Sequence, residues 1–249
     1  MSVELSFIFP TYDEDQNIFE RLGEIECLKD LVNGNIEVII SDDTPSNFVL
    51  EERITKFLKF SELKIVYISR FKKQKKRGLA YSILDGLNVA KGNYICIADI
   101  DGQHNIFDAF SLYETSRKLG LITIGSRFKK GGGMSSKTHF LCSYVFNLWL
   151  IIITRVNCLD KTGGFSVIPR AILKKTILKR KEYIFKGYGD YFINLSRFLH
   201  INKIDFKEIP VFYRLRSSGY SKSNFSLMII KYTLTALKAS LNNNLYLYK

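Results

Sequence analysis

The chain has 249 residues, 46% of them hydrophobic and 24% charged, with 37 Lys and Arg against 24 Asp and Glu. That length and balance suit one or two globular domains with a sizeable core and exclude a disordered or fibrous chain. The net charge of +13 is unevenly divided: residues 1–125 carry 15 basic and 19 acidic side chains, residues 126–249 carry 22 and 5. A basic second half suits nucleic acid, an anionic membrane surface or a phosphorylated ligand.

Short apolar runs rich in Ile, Val, Phe and Tyr predict buried parallel strands at Val3–Phe9, Glu37–Ser41, Leu63–Ile68, Tyr94–Ala98 and Leu121–Gly125. Between them, Ile18, Leu22, Ile25, Leu28 and Leu31 recur at helical spacing, as do Leu79, Ile83, Leu87 and Ala90 before Gly92. Alternating strands and helices imply an α/β fold with a mostly parallel sheet flanked by helices. The run Arg70–Arg77 has six basic residues in eight and reads as a solvated loop. Phe140–Thr154 is uncharged and apolar but shorter than the roughly 20 residues of a spanning helix. It reads either as a buried core helix or as a helix lying in a membrane interface, with Tyr144 and Trp149 among its Leu and Ile residues. Ser223–Leu241 repeats helically as well, with Lys231 and Lys238 at its flanks. The expected organisation is a domain over residues 1–222 followed by a basic, membrane-proximal helical appendage over 223–249. Four scattered cysteines and a Met1–Phe9 segment with no basic leader point to a reducing, cytoplasmic setting.

In such a fold ligands sit at the carboxyl ends of the strands, and three acidic clusters fall there. They are Tyr12-Asp13-Glu14-Asp15, Asp42-Asp43 and Asp99-Ile100-Asp101. Two carboxylates two residues apart suit a hard divalent cation, Mg²⁺ or Mn²⁺, with Gln103 as a neutral oxygen donor. For Asp13–Asp15 or Asp108 alone, helix capping is the simpler reading. His104, a lone histidine, reads as a structural residue.

These residues carry a resemblance. Phe9-Pro10-Thr11-Tyr12-Asp13-Glu14, Ser41-Asp42-Asp43-Thr44, Lys91-Gly92-Asn93-Tyr94, Ala98-Asp99-Ile100-Asp101-Gly102-Gln103-His104 and Gly125-Ser126-Arg127-Phe128 resemble the ordered motifs of family 2 glycosyltransferases with the GT-A fold. Asp160-Lys161-Thr162-Gly163-Gly164-Phe165, Lys186-Gly187-Tyr188, Glu208-Ile209-Pro210-Val211 and Arg216–Lys222 resemble the dolichol-phosphate mannosyltransferase-like branch.

The resemblance implies that Pro10, Tyr12 and Glu14 line a nucleotide-sugar pocket with Asp43 and the Ser41 backbone. It implies that Asp99, Ile100 and Asp101 form the metal and diphosphate motif with Gln103, and that Arg127, Arg216 and Lys222 meet phosphates. It further implies an inverting transfer of a hexose, mannose foremost, from GDP-mannose or a UDP-sugar to a polyprenyl phosphate at the cytoplasmic face of a membrane. Asp13 stands where the family usually has Asn, Thr44-Pro45 replace Gly-Ser, and Ser166 replaces Arg. Near Tyr188 the family often carries Glu; here Asp190 is the nearest carboxylate, and Asn194 fits the spacing to Glu208 better. A lipid monophosphate is largely ionised at neutral pH and needs no side-chain base. Transfer to a glycan hydroxyl, and a non-catalytic basic module binding nucleic acid or membrane, are the competing readings. With the motif set intact, no nucleic-acid partner is expected.

Overall fold

The computed structural model describes residues 2–32, 34–45, 48–57, 61, 63–71, 76–216 and 225–247. The chain begins with β1 (Val3–Thr11), α1 (Asp15–Leu28), β2 (Asn35–Asp42), α2 (Phe48–Phe57), β3 (Lys64–Ser69), α3 (Leu79–Val89) and β4 (Tyr94–Ile97). It continues through α4 (Ile106–Leu119), β5 (Ile122–Ser126), β6 (Gly133–Met134), α5 (Lys137–Thr154), β7 (Ser166–Pro169) and α6 (Arg170–Lys175). After a 3₁₀ turn at Ile177–Arg180 come α7 (Lys181–Ile184), α8 (Tyr191–Ile201), β8 (Phe206–Pro210), β9 (Phe212–Tyr213), α9 (Phe225–Leu241) and α10 (Asn243–Tyr246).

Seven strands form one sheet in the order β3-β2-β1-β4-β7-β5-β8, and β6 pairs with β9 separately. Only β7 runs antiparallel, against both β4 and β5. The order reverses at β1, which pairs in parallel with β2 on one side and β4 on the other. Such a reversal sends the two neighbouring crossovers to opposite faces and opens a crevice at the strands' carboxyl ends.

Period-two alternation divides the core between the two faces. Leu5, Phe7, Phe9, Val38, Ile40 and Cys96 meet α1, α2 and α4 on one face. Ile8, Ile39, Ile95 and Ile97 meet α3 and α8 on the other. A Cβ on Gly86 of α3 would stand 2.6 Å from Ile8 Cγ2, so this glycine sets the closeness of helix to strand.

Two details differ from the sequence-based expectation. The stripe of α1 stops at Leu28; Leu31 is 53% exposed, and Val32 turns inward in its place. Arg70 is not in a solvated loop: it is buried at the end of β3, paired with Asp43 and Asp85. Within the same run, residues 72–75 lie outside the described residues.

The second half of the chain adds a helical layer. Helix α9 packs on α5 and α8 through a small core of Phe146, Leu150, Ile193, Tyr232 and Ala236. Ser240 Oγ also donates to the Ile153 carbonyl at 2.8 Å. The buried-core reading of Phe140–Thr154 holds for one side of α5 only; the other leaves Leu141, Val145, Leu148, Trp149 and Ile152 exposed. Helix α9 likewise exposes Leu227, Ile230, Leu234, Leu237 and Leu241.

Candidate active site

The crevice at the switch point holds a cavity of about 580 Å³. Pro10, Tyr12, Glu14, Asp43, Asp99, Ile100, Asp101, Gln103, Arg127 and Arg216 all line it, drawn from five separate stretches of sequence. Ser41 is not among the lining residues; it is sealed inside β2. Lys222 lies outside the described residues.

At the end of β1 the chain must turn sharply into α1, and Asp13 takes a left-handed backbone (φ 57°) to do so. Asp and Asn are the side-chain-bearing residues most at home there, which explains why Asp can stand at a position where Asn is usual. The Asp13 N–H donates to Thr44 Oγ1 at 2.7 Å. Thr44 in turn donates its N–H and hydroxyl to Asp42 Oδ1 at 2.9 and 2.6 Å. Asp42 is therefore a turn-maker that ties two strand ends together.

Asp43 is held still from several sides. Its Oδ1 accepts from Arg70 Nε at 2.7 Å, and its Oδ2 from the Gly78 N–H at 2.8 Å and Ser82 Oγ at 3.2 Å. Arg77 donates to the Asp43 carbonyl at 2.7 Å. Arg70 and Arg77, at the two ends of the basic run, thus build the wall beside Asp43.

Asp99 and Asp101 follow β4 and face the cavity. Desolvation pushes the Asp99 carboxyl up to about 6, with Glu14 adding to the rise and Arg216 and Arg127 opposing it. Asp101 is also raised, first by burial and then by the charge of Asp99. Its Oδ1 accepts the Gln103 N–H at 3.0 Å, and its Oδ2 lies 3.1 Å from Arg216 Nε. Two carboxylates short of positive charge, with an amide beside them, fit a hard divalent cation that takes its remaining ligands from water and phosphate. Among the described residues no cluster of three His, Cys, Asp or Glu forms a closed metal cage.

His104 has the structural role expected of it. It is buried, stacks on Phe165 at 4.4 Å and accepts the Asp99 N–H on Nδ1 at 2.8 Å. An accepting Nδ1 puts the proton of the neutral ring on Nε2, and desolvation lowers the pKa to about 4. The ring holds the metal-motif backbone without carrying charge.

The far wall is a loop after α5, fastened at every turn. Burial alone would raise the Asp160 carboxyl, yet the charge and hydrogen bonds of Arg127 pull it below its ordinary value. Arg127 donates from its backbone N, Nε and Nη2 to Asp160 at 3.0, 2.8 and 2.7 Å, and from Nη2 to Thr162 Oγ1 at 2.8 Å. Glu208 Oε1 accepts the N–H groups of Leu159 and Asp160 at 2.9 and 3.1 Å. Asp190 accepts the Tyr188 N–H at 2.6 Å and the Thr235 hydroxyl at 2.9 Å, while Asn194 Oδ1 accepts from Tyr246 at 2.8 Å. Asp190, Asn194 and Glu208 therefore hold structure together around the cavity.

Sequence reasoning missed Asn147. Buried in α5, it accepts the Lys161 N–H on Oδ1 at 2.7 Å and donates to Thr162 Oγ1 at 3.0 Å. An asparagine inside an apolar run was the available signal. Met228 and Tyr232 of α9 also line the cavity, so the helix with the exposed apolar face forms part of its wall.

The glycosyl transferase family 2 model matches residues 6–178. A dolichol-phosphate mannosyltransferase of Pyrococcus furiosus is 30% identical over 233 residues, covering 88% of this chain and 59% of that protein. The chain thus spans about three-fifths of that relative's length. Among solved structures, glucosyl-3-phosphoglycerate synthase of Mycobacterium tuberculosis, in complex with Mn²⁺, UDP and phosphoglyceric acid, superposes with a TM-score of 0.64 at 15% identity. The match covers 96% of this chain and 78% of that one. Its complex with Mg²⁺ and UDP gives 0.64 at 16% identity over 96% and 79%. At that identity the likeness concerns the fold, which is the flanked, mostly parallel sheet expected of GT-A proteins. From the family match over residues 6–178, the chain belongs to glycosyl transferase family 2.

Proposed function

We propose that the protein transfers a hexose, mannose foremost, from a nucleotide diphosphate donor to a polyprenyl phosphate at the cytoplasmic face of a membrane. The observation that carries this reading is the shared wall: α9 lines the cavity with Met228 and Tyr232 and carries exposed Leu227, Ile230 and Leu234 outside it. An acceptor with a phosphate head and an apolar chain fits that junction of charge and grease. The 30% identical relative is named for such a transfer, and the structural neighbours were crystallised with Mn²⁺ or Mg²⁺ and UDP.

In this reading Pro10, Tyr12, Glu14 and Asp43 hold the nucleoside, with GDP and UDP sugars as the candidate donors. Asp99 and Asp101, with Gln103, would hold Mg²⁺ or Mn²⁺, which neutralises charge on the diphosphate leaving group. An acceptor phosphate oxygen forms the new bond to the anomeric carbon as the bond to the diphosphate breaks on the opposite side, inverting the centre. Arg216 and Lys222 orient the phosphates, while Arg127, its charge met by Asp160, fixes the facing wall. No general base is required, because the acceptor phosphate is already ionised. Residues 1–222 form the transferase domain, and residues 223–249 bring α9 to the membrane.

Helix α5 supports docking on that surface. At 18 residues it is the one helix, among the described residues, long and apolar enough to cross a bilayer by length and composition. Phe146, Asn147, Leu150 and Thr154 are nevertheless buried against the domain, which favours an in-plane position. Lys129 and Lys130 before it and Lys137 at its first position add attraction to anionic headgroups, about 1 kcal/mol each near the surface.

The test is incubation of the purified protein with GDP-mannose or UDP-sugars, Mn²⁺ and a short polyprenyl phosphate in mixed vesicles. A glycosylated lipid phosphate is expected. Transfer only to an added glycan, with lipid phosphate untouched, would replace this acceptor by a sugar hydroxyl.

A further inference from the structure

Asp101 already holds a cation of the protein's own. Three guanidinium groups line the cavity, and two are committed to the walls: Arg77 to the Asp43 carbonyl and Arg127 to Asp160. Arg216 instead reaches back from beyond β9 to Asp101, Nε to Oδ2 at 3.1 Å. Its side chain is 34% exposed, where that of Arg127 is 7%.

An arginine does not give up its proton in a protein, so this pair cannot open by titration of the guanidinium. It opens when another cation takes Asp101 or another anion takes Arg216. The acidic pair favours the first exchange. Asp99 and Asp101 bring two carboxylates to one cavity, and Arg216 brings a single charge to them. A divalent ion brings twice the charge and also engages Asp99. The second exchange is favoured by the donor and acceptor, which both carry phosphate.

We propose that Arg216 is a place-holding cation, exchanged at Asp101 for the divalent metal, and that the exchange turns its guanidinium to the phosphates of the incoming ligand. This rests on the metal-dependent transfer described above and adds an order to it: metal and diphosphate enter together, because each takes one partner of the resident pair. It also gives Arg216 two effects of opposite sign. Removing it strips the cavity of a phosphate contact and also removes the metal's competitor.

The experiment titrates Mn²⁺ into nucleotide-free protein, following free Mn²⁺ by electron paramagnetic resonance, for wild type, Arg216→Ala and Arg216→Lys, with Asp101→Asn as the control that loses the site. Arg216→Ala is expected to bind Mn²⁺ about two- to fivefold more tightly, the scale of a partly solvated ion pair, while turnover falls. Arg216→Lys, which keeps the charge, should stay close to wild type. In a second measurement, phenylglyoxal labelling of wild-type Arg216, read by peptide mass spectrometry, should rise on adding Mn²⁺. Equal or weaker Mn²⁺ binding by Arg216→Ala, or labelling unchanged or lowered by Mn²⁺, overturns the exchange and leaves the metal reading standing. Absence of Mn²⁺ binding in every variant overturns the metal reading itself, and the exchange with it.

Discussion

Asp160→Asn tests the claim that a buried ion pair holds the far wall of the cavity. Asp160 is fully buried and accepts three hydrogen bonds from Arg127. Asn keeps the shape but offers one acceptor oxygen and turns an N–H₂ group toward the guanidinium. At least one charge-assisted bond, worth about 1.5–3 kcal/mol, is lost, and a buried cation is left without its counter-ion. Breaking such a pair from one side costs about 3–5 kcal/mol. The rings of Tyr213 and Phe128, 4.7 and 5.1 Å from the guanidinium carbon, keep the loss from being larger. For a chain of this length the melting temperature should fall by about 6–20 °C. Because the folded-state pKa of Asp160 is depressed, its contribution is present in full above the ordinary value of 3.8 and fades as pH falls through the lower folded value. Urea unfolding followed by circular dichroism at pH 7 and below pH 4 measures both effects. Replacing both partners, as Arg127→Met with Asp160→Leu, should recover much of the stability while abolishing turnover. A loss below about 1 kcal/mol at pH 7 would refute the reasoning.

Asp99→Asn should raise the melting temperature at pH 7.5, because an acid whose folded pKa is raised to about 6 destabilises the fold above that pH; the gain should vanish below pH 3.8. Asp101→Asn should cut turnover on the order of 100-fold, and unimpaired rates would remove the metal from its place. Ile152→Ser on the exposed side of α5, where Ile152 is 69% exposed, should weaken binding to anionic vesicles by about 5- to 30-fold, equivalent to about 1–2 kcal/mol. The melting temperature should hardly move, and unchanged co-sedimentation would place the membrane contact elsewhere. Asn147→Ala leaves the Lys161 N–H without its acceptor, at a cost of about 1–3 kcal/mol. It should raise the acceptor KM more than it changes nucleotide affinity, a split readable by steady-state kinetics and calorimetry.

What the sequence by itself determined is what short-range periodicity encodes. Runs such as Phe7-Ile8-Phe9 and Val38-Ile39-Ile40, short and followed by polar residues, read as strands buried on both faces, and strands alternating with helical stripes read as a mostly parallel sheet. The acidic residues following those runs had to gather at the carboxyl edge, so Glu14, Asp43, Asp99 and Asp101 share one cavity as their positions required.

Which of the charges there are available for chemistry was decided by tertiary structure alone. Asp43 and Arg70 are 27 residues apart, Arg127 and Asp160 are 33, and no local pattern tells a paired ion from an open one. The same holds for Arg70–Arg77, whose composition reads as solvent-exposed while Arg70 is buried between two aspartates. Helices α5 and α9 carry apolar residues on more than one side. Only their packing on each other and on α8 decided that Phe146, Leu150, Tyr232 and Ala236 turn inward while Trp149, Ile152, Leu227 and Leu234 stay outside. Periodicity is a property of one segment and can be read from it. Burial and ion pairing are properties of two segments at once, and they exist only after the chain has brought those segments together.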